Sequence, residues 1–346
     1  MKVRWGVIGA GGIADRRTIP GMMLAKNAEL AAVMEINMEL AEKIRSKYNA
    51  KSAYDSVDAL LSDPEIKAVY IASPVICHKE QAIKTARAKK HVLIEKPIAL
   101  TSGEGEKVLE VCRKEGILAA SGFMMRFHAY HIKMKEIIES GRLGRVISGR
   151  AQLTCWYPDI PGSWRQRKNT SGGGALMDMG VHCIDLLQYI TGGKARKVAA
   201  FTGTKTFNYE VEDSASVMFE TDNGVYCYVD TNFNIPDAAA KCRLEIYGTR
   251  GSMLAEGTIG QVEGGKLDVA LSDDSLGYNA GQDRVDVAPV DIRVEFGNMY
   301  TKEIESFSNS ILEGDKIQIP VEDALQVQRV VEAAYESSAA GKMIYV

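Results

Sequence analysis

Residues 3–14 read Val-Arg-Trp-Gly-Val-Ile-Gly-Ala-Gly-Gly-Ile-Ala. An apolar run that ends in a glycine-rich turn predicts a β-strand over Val3–Ile8 with a helix directly after it. The turn fits the pattern G-x-G-x-x-G/A, in which Gly9 permits the tight turn, Gly11 lets the backbone approach a pyrophosphate and Ala14 allows close packing of helix on strand. Free N–H groups at the start of the helix favour phosphate. This stretch therefore predicts a dinucleotide-binding fold.

A second strand, Leu30–Met34, is predicted to end at Glu35. An acidic residue about 20 positions beyond the glycines binds the ribose hydroxyls in such folds. Ile36 and Asn37 follow it, and neither is a side chain that would receive a 2′-phosphate, so the sequence favours NAD over NADP. An arginine pair in the first helix, Arg16-Arg17, leaves NADP open as the alternative cofactor.

Strand patterns recur at 68–72, 91–94 and 117–121, and helix patterns separate them. This rhythm is typical of an α/β fold with a parallel, doubly wound sheet, which binds its ligand at the carboxyl ends of the strands. Polar residues follow these strands at that position. The residues predicted to contact the cofactor are Gly9, Gly11, Gly12, Ile13, Glu35, Ser73, Pro74, His78, Glu95 and Lys96.

The triplet Glu95-Lys96-Pro97 directly follows one of these strands. An ammonium group held between an acid and a proline can polarise an alcohol or carbonyl oxygen beside a nicotinamide. The alternative is an ordinary lysine at the end of a strand. The Lys96-Pro97 bond is also a candidate for the cis form, which costs an X-Pro bond about 0.5–1 kcal/mol.

Residues 171–187 carry the candidate acid–base chemistry. Glycines at 172–174 precede apolar residues at helical spacing, which predicts a helix. Asp178 and His182 are four residues apart and therefore share one face, with Asp185 at its edge. A carboxylate one turn from an imidazole fixes its tautomer and raises its proton affinity, as a general base requires. The alternative is a capped helix whose histidine is merely hydrogen-bonded.

Beyond residue 122 consecutive strands replace the alternation, which predicts an α+β domain with a large, open, mainly antiparallel sheet. We therefore predict an NAD(P)-binding Rossmann domain over 1–122 and a domain for substrate binding and oligomerisation over 123–346. The triplet Asp222-Asn223-Gly224 predicts a hairpin, and residues 257–296 predict short strands or loops. Strand patterns span 146–157, 197–206, 214–221, 225–233 and 241–247, and helix patterns span 130–140, 300–313 and 321–340.

The strand pattern at 225–233 alternates apolar residues with Tyr226, Tyr228 and Asp230. One face of the sheet therefore presents tyrosines rather than lysines and glutamates, as a subunit interface does. We predict a homo-oligomer, either a dimer or a tetramer, that assembles through this sheet.

Aromatic residues beside arginine precede the glycine run, in Trp156-Tyr157-Pro158 and again in Gly162–Arg167. Aromatic faces fit the C–H surface of a sugar, and arginine donors fit its hydroxyls. The loop is therefore predicted to bind a sugar. The alternative is that the tryptophans anchor the loop to the core.

The 346-residue chain has a net charge of −3 at pH 7 and no basic tract, which argues against binding to nucleic acid or to an anionic membrane. Its six scattered cysteines lack a C-x-x-C pair, a pattern typical of reduced thiols. No apolar run is long enough for a signal peptide or a membrane span. We expect a cytoplasmic protein without a metal site.

Three motifs occur in order along the chain: the glycine turn at 9–14, the triplet Glu95-Lys96-Pro97, and the segment 172–185 with its glycine run. Together they give the chain a specific resemblance over nearly its whole length. It resembles the glucose-fructose oxidoreductase / inositol dehydrogenase family (Gfo/Idh/MocA). The resemblance implies a Rossmann domain followed by an open-sheet domain, NAD(P), and hydride transfer at a ring alcohol or carbonyl of a sugar, sugar derivative or cyclitol. It implies catalytic roles for Lys96, Asp178 and His182. The substrate-binding residues it implies are Lys96, Arg126, Trp164, Arg165, Asp178 and His182.

Two positions depart from the family pattern. Val75 follows Pro74 where family members often carry asparagine, which removes one polar contact near the cofactor. His182 stands where some members carry tyrosine, which favours a dehydrogenase or reductase. Two other functions stay open at this point: a glycoside-cleaving enzyme that oxidises the sugar transiently, and a non-catalytic nucleotide-binding regulator. The presence of both Lys96 and His182 argues against the regulator.

Overall fold

A computed structural model describes residues 1–272, 280–281 and 290–346 of the chain. Its strands are β1 Val3–Ile8, β2 Ala28–Met34, β3 Ser52–Tyr54, β4 Ala68–Ile71, β5 His91–Glu95, β6 Ala119–Gly122, β7 Val146–Thr154, β8 Ala195–Gly203, β9 Ser214–Thr221, β10 Tyr226–Asn232, β11 Arg243–Gly248, β12 Gly251–Glu256, β13 Lys266–Leu271 and β14 Ile344–Tyr345. Its α-helices are α1 Ile19–Leu24, α2 Met38–Tyr48, α3 Val57–Ser62, α4 Val75–Arg87, α5 Ser102–Glu115, α6 Ala129–Glu139, α7 Lys168–Ser171, α8 Val181–Thr191, α9 Met299–Glu313 and α10 Val321–Ala340. Short π-helices cover Ala14–Thr18 and Leu176–Gly180, and 3-10 turns cover Met124–Phe127, Trp164–Gln166 and Asp237–Ala239.

The described chain divides into two compact units, each assembled from separate segments. Unit 1 comprises Met1–Phe127, Ile160–Asp178 and Asn298–Arg329, and unit 2 comprises His128–Asp159, Met179–Gly297 and Val330–Val346. The predicted domain limits at 122 and 123 stay a prediction.

The sheet of unit 1 has six parallel strands in the order β3-β2-β1-β4-β5-β6. This confirms the predicted parallel, doubly wound sheet. The short strand β3 was not predicted, because its three residues are all partly exposed and form no apolar run. Strand β6 begins at Ala119, two residues later than the pattern predicts.

Helix α9 completes the core of unit 1, although it lies far along the chain. Ile304 and Phe307 of α9 join the same buried cluster as Trp5, Tyr70 and Leu93 of the sheet. The indole N–H of Trp5 donates to the Ser308 hydroxyl at 3.2 Å. Apolar burial contributes roughly 25 cal/mol per Å², so this late helix stabilises the sheet that carries the glycine turn.

The sheet of unit 2 has eight strands in the order β13-β12-β11-β7-β10-β9-β8-β14. Its pairs are antiparallel except β7 with β10, which are parallel. The sheet is therefore mixed and mainly antiparallel. The parallel pair arises because residues 155–194 separate β7 from β8 along the chain, and that length of chain frees β7 from hairpin pairing.

The two faces of the second sheet differ as the alternation predicts. Cys227, Val229 and Thr231 are buried, whereas Tyr226 and Tyr228 are 52% and 39% exposed. The predicted hairpin at 222–224 joins β9 to β10. Strand β13 lies within the region predicted to form short strands or loops, and the part of that prediction over 273–279 and 282–289 falls outside the described residues.

None of the helices in the described part of the chain combines the length and the apolar character that crossing a membrane requires.

Candidate active site

The glycine turn after β1 adopts a backbone conformation that glycine alone accommodates easily. Gly9 has φ +73°, and Gly12 has φ +58°. A Cβ atom on Gly9 would lie 2.6 Å from the backbone nitrogen of Ser73, in the turn after β4. The first helix begins as a π-helix over Ala14–Thr18 rather than as a regular α-helix. The turn therefore has the close backbone packing that the dinucleotide pattern demands.

The Glu35 carboxylate is held beside this turn by two backbone donors. Gly11 N–H donates to Oε2 and Ile36 N–H donates to Oε1, each at 3.1 Å. Ile36 itself is 84% exposed, and the Asn37 side chain caps α2 by accepting from Leu40 N–H. A fixed carboxylate next to the turn fits the hydroxyls of a ribose and disfavours a 2′-phosphate. These residues fit a bound NAD.

His78 joins the turns that follow β4 and β5. It is buried, with Nδ1 2.8 Å from the Pro97 carbonyl and Nε2 2.8 Å from the Ser73 carbonyl. Burial lowers the pKa of the imidazole, although both carbonyls favour the protonated form. Its contacts fix the positions of two predicted cofactor-binding segments.

Glu95 lies buried behind Lys96. Its Oε2 accepts from Lys96 N–H at 3.1 Å, and its Oε1 accepts from the Tyr70 hydroxyl. Thr18, at the end of the first π-helix, donates in turn to the Tyr70 oxygen at 2.9 Å. Burial raises the pKa of the Glu95 carboxyl, and Lys96, Tyr70 and Arg165 oppose that rise.

Lys96 and Asp178 meet directly in unit 1. The Lys96 ammonium donates to the Asp178 carbonyl at 2.7 Å and to its Oδ1 at 3.0 Å. The two side chains are 15% and 32% exposed, so the pair stays open to a ligand. The Lys96-Pro97 peptide bond is cis. The structure thus brings together two of the predicted catalytic residues.

Trp164 and Arg165 lie at the same cluster. The Arg165 guanidinium stacks 4.3 Å from the centre of the Trp164 ring, and its Nε lies 3.8 Å from Asp178 Oδ1. The loop is braced internally, since the Thr170 hydroxyl donates to the Trp164 carbonyl at 2.5 Å. The side chains of Trp164 and Arg165 are partly exposed, so Trp164 supports Arg165 rather than filling the core.

His182 and Asp185 lie on α8 in unit 2, where both are buried. Asp178 belongs to the π-helix that precedes α8, so the predicted α-helix begins as a π-helix. Such irregular turns occur often at functional sites. The role of His182 as general base stays a prediction.

Arg126 is buried in a 3-10 turn and forms a structural ion pair. Its Nη1 donates to Asp323 Oδ2 at 2.8 Å and to the Gln318 carbonyl at 3.2 Å. Its guanidinium therefore helps to hold the segment that precedes α10. Its predicted contact with substrate stays a prediction.

Two segments of the chain match profiles of one family. Residues 3–123 match the "Oxidoreductase family, NAD-binding Rossmann fold" profile, and residues 131–254 match the "GFO/IDH/MocA C-terminal domain" profile. The chain belongs to the Gfo/Idh/MocA oxidoreductase family. It is accordingly an NAD(P)-binding oxidoreductase of a family whose relatives are named as dehydrogenases and reductases of sugars and inositol.

Two named relatives and a solved structure resemble this family member over most of its length. A 1,5-anhydro-D-fructose reductase from Ensifer adhaerens is 29% identical over 75% of this chain and 77% of its own. A myo-inositol 2-dehydrogenase from Thermotoga maritima is 28% identical over 73% of this chain and 75% of its own. An aldose-aldose oxidoreductase from Caulobacter crescentus shares the fold, with a TM-score of 0.90 and 24% identity over both whole chains.

The residues behind Lys96 were not predictable from a motif. Tyr70 and Thr18 position Glu95, yet neither belongs to a motif. One signal was available: Tyr70 is the single polar side chain in the buried strand Ala-Val-Tyr-Ile. A hydroxyl in such a strand needs a hydrogen-bond partner.

Proposed function

We propose that this protein transfers a hydride between nicotinamide and a ring alcohol or carbonyl of a sugar, sugar derivative or cyclitol. The observation that carries the proposal is the contact of Lys96 with Asp178 in the unit that holds the glycine turn. Family membership and the sugar and cyclitol relatives support the same substrate class.

Lys96 is assigned to the reacting oxygen. Its ammonium is partly buried and already held by Asp178, so it is oriented before substrate arrives. A preorganised positive charge stabilises an alkoxide that develops as the C–H bond breaks. Bound NAD supplies the hydride acceptor. Arg165, with Trp164 behind it, is assigned to a neighbouring hydroxyl.

His182 is assigned to the proton of the reacting hydroxyl. The variant His182→Ala should lower kcat by about 100-fold or more, because general-base catalysis contributes roughly 10²–10⁴-fold. The dissociation constant for NAD, measured by fluorescence titration, should stay nearly unchanged. An equal loss of turnover and of NAD affinity would show that His182 supports the fold instead.

NAD is the proposed cofactor, with NADP as the alternative. The fixed Glu35 carboxylate supports this choice, because it repels a phosphate placed on the 2′-oxygen. Arg16 and Arg17 are both exposed on the first helix.

The decisive assay is a panel of pyranoses, anhydrosugars and inositols with NAD and NADP in separate reactions. We expect turnover with at least one ring alcohol or ring ketone and a higher kcat/KM with NAD. Protein that retains NAD and cleaves glycosides without net release of NADH would instead support the transient-oxidation reaction. Binding of NAD with no turnover of any member would oppose an enzymatic role.

We also infer that a second copy of this chain covers the tyrosine face of the sheet in unit 2. Tyr228 pairs across strands with Met218 and with Arg150, whose guanidinium lies 5.5 Å from the Tyr228 ring centre. Met218 is 47% exposed and Phe201 is 85% exposed. A mixed apolar and polar face of this kind suits a self-complementary contact.

Sedimentation velocity tests the homo-oligomer. Wild type should sediment as a dimer or tetramer, and Tyr228→Lys with Met218→Lys should shift it toward the monomer. A matched control, Glu39→Lys, changes an exposed residue of unit 1 and should leave the state unchanged. A monomeric wild type at micromolar concentration would contradict the inference.

A cytoplasmic location is proposed as well. All six cysteines are free thiols, which suits a reducing compartment. Fractionation of cells that express the full chain should place it in the cytoplasmic fraction, and its recovery outside that fraction would contradict the proposal.

A further inference from the structure

A small cavity in unit 1 carries two polar groups that the proposed reaction does not use. Its empty space is about 210 Å³, part of it open to solvent, and its lining comes mainly from β5, β6, α9 and the segment before α10. Most of the lining is apolar, including Leu93, Phe307 and Ile319. Four polar side chains complete the lining, and two of them, Glu303 and Ser121, are buried.

Glu303 and Ser121 are both buried without a hydrogen-bond partner. Glu303 is 2% exposed and Ser121 is 0% exposed. Neither carboxyl oxygen of Glu303 has a hydrogen-bond partner among the described residues. The Ser121 hydroxyl has none there either. An unpaired polar group inside a protein costs about 1–3 kcal/mol, and an unpaired charge costs more. Two such groups facing one cavity indicate a small polar ligand between them.

The charges around Glu303 disfavour its ionised form. Burial raises the pKa of the Glu303 carboxyl well above its usual range, and the nearby Glu95 carboxyl raises it further. Tyr70 and Tyr300 also interact with it, and their own pKa values are raised by burial and by these two acids. Within the described chain, Glu303 has no ion pair with a lysine or arginine.

The cavity adjoins the end of the strand that positions Lys96. Ser121 precedes Gly122, which pairs with Glu95 across the parallel strands. A Cβ atom on Gly122 would lie 3.2 Å from the carboxyl carbon of Glu95. Glu95 in turn binds the backbone of Lys96.

We propose that Glu303 is a neutral carboxylic acid that binds a water molecule together with Ser121 in this cavity, and that its neutrality leaves the negative charge of the region on Glu95. A neutral acid offers one donor and one acceptor, and a buried water needs two to four polar partners. Two acids buried close together do not both ionise readily. Glu303 thereby helps to keep Glu95 as the charged acid that binds the Lys96 backbone, and this inference does not rest on the proposed function.

The pH dependence of unfolding tests the neutral acid. A carboxyl whose pKa is raised in the folded state stabilises the fold below its unfolded pKa, and that stability is lost as pH rises toward the folded pKa. Relative to Glu303→Gln, the folding constant of wild type should therefore fall by up to about tenfold per pH unit as the pH rises above about 5. Urea unfolding at several pH values measures this ratio without any activity assay.

The matched control is Glu313→Gln, which changes an exposed acid at the end of the same helix. The ratio of its folding constant to that of wild type should change less than about twofold over the same pH range. A ratio for Glu303→Gln that is independent of pH would show that Glu303 is charged when folded. Failure of Glu303→Gln to fold would also overturn the proposal, because a neutral isostere should be accepted.

A double-mutant cycle tests the shared water. Ser121→Ala and Glu303→Leu each remove one partner of the proposed water and should each raise the unfolding constant. The two changes together should raise it by at least about threefold less than the product of the single effects, because both act on one bound molecule. Multiplicative effects would show that no water joins the two groups. The C=O stretching band of a protonated acid, lost in Glu303→Gln, provides a spectroscopic readout of the same state.

Discussion

Two carboxylates bind Lys96, one at each end of the residue, and they do so in different surroundings. Glu95 is buried and accepts from the Lys96 backbone N–H, whereas Asp178 is 32% exposed and accepts from the ammonium group. Burial raises the pKa of Glu95, and Tyr70 with Thr18 supports it from behind. The two carboxylates therefore have different tasks. Glu95 fixes the backbone of Lys96, and Asp178 fixes the position of its ammonium group.

The largest effect is expected at the residue that both carboxylates share. Lys96→Met should lower kcat/KM by roughly 10²–10³-fold, the usual cost of removing one preorganised charge from a reacting oxygen. Steady-state kinetics on the best substrate of the panel measures it. Lys89→Met, a change at a 65% exposed lysine, should leave kcat/KM within about twofold and serves as the control. Wild-type rates for Lys96→Met would exclude Lys96 from catalysis.

The next largest effect is expected from the exposed partner. Asp178→Asn keeps the shape but removes the charge that orients the ammonium, and hydrogen bonds to charged groups contribute about 1.5–3 kcal/mol. We expect kcat/KM to fall roughly 10–100-fold while the urea midpoint changes little. If Asp178→Asn chiefly lowers stability and leaves turnover unchanged, Asp178 supports the fold and does not orient the Lys96 ammonium group.

Most of the residues proposed to contact cofactor or substrate were predictable from sequence, because short motifs encode them. The glycine turn, Glu35, Lys96 and Asp178 are each marked by local residue types and spacing. The supporting parts were not predictable, because their contacts join distant positions. Trp5 and Ser308 are 303 positions apart, and Thr18 and Tyr70 are 52 apart. Nothing in the residues of β7 or β10 indicates that these strands pair in parallel, since that depends on the path of the chain between them.

A smaller effect is expected at the cofactor side. Glu35→Gln keeps the shape and removes the charge that accepts from Gly11 and Ile36. The KM for NAD should rise about tenfold, in line with the loss of about 1.4 kcal/mol, and the preference for NAD over NADP should narrow. Kinetics with both cofactors measures the change. An unchanged ratio of the two kcat/KM values would remove Glu35 from cofactor selection.

The smallest effect on activity is expected at Tyr70, which donates to the buried Glu95 carboxylate. Tyr70→Phe leaves Glu95 without one donor and should reduce the free energy of unfolding by about 1–3 kcal/mol. Turnover should change by less than about threefold, because Lys96 keeps its contacts with Asp178. Tyr228→Phe, at an exposed tyrosine of unit 2, is the matched control for unfolding. A large loss of turnover with unchanged stability would reverse the roles assigned to the two carboxylates.

The most direct test of the proposed hydride transfer follows a deuterium atom from the ring alcohol to the nicotinamide. A ring alcohol of the panel that the enzyme oxidises is labelled with deuterium on the reacting carbon, and the reduced cofactor is examined by mass spectrometry and NMR. We predict one deuterium at C4 of the nicotinamide in wild type and a much slower appearance of it in Lys96→Met. Oxidation of the labelled alcohol without deuterium on the nicotinamide would contradict hydride transfer at this site.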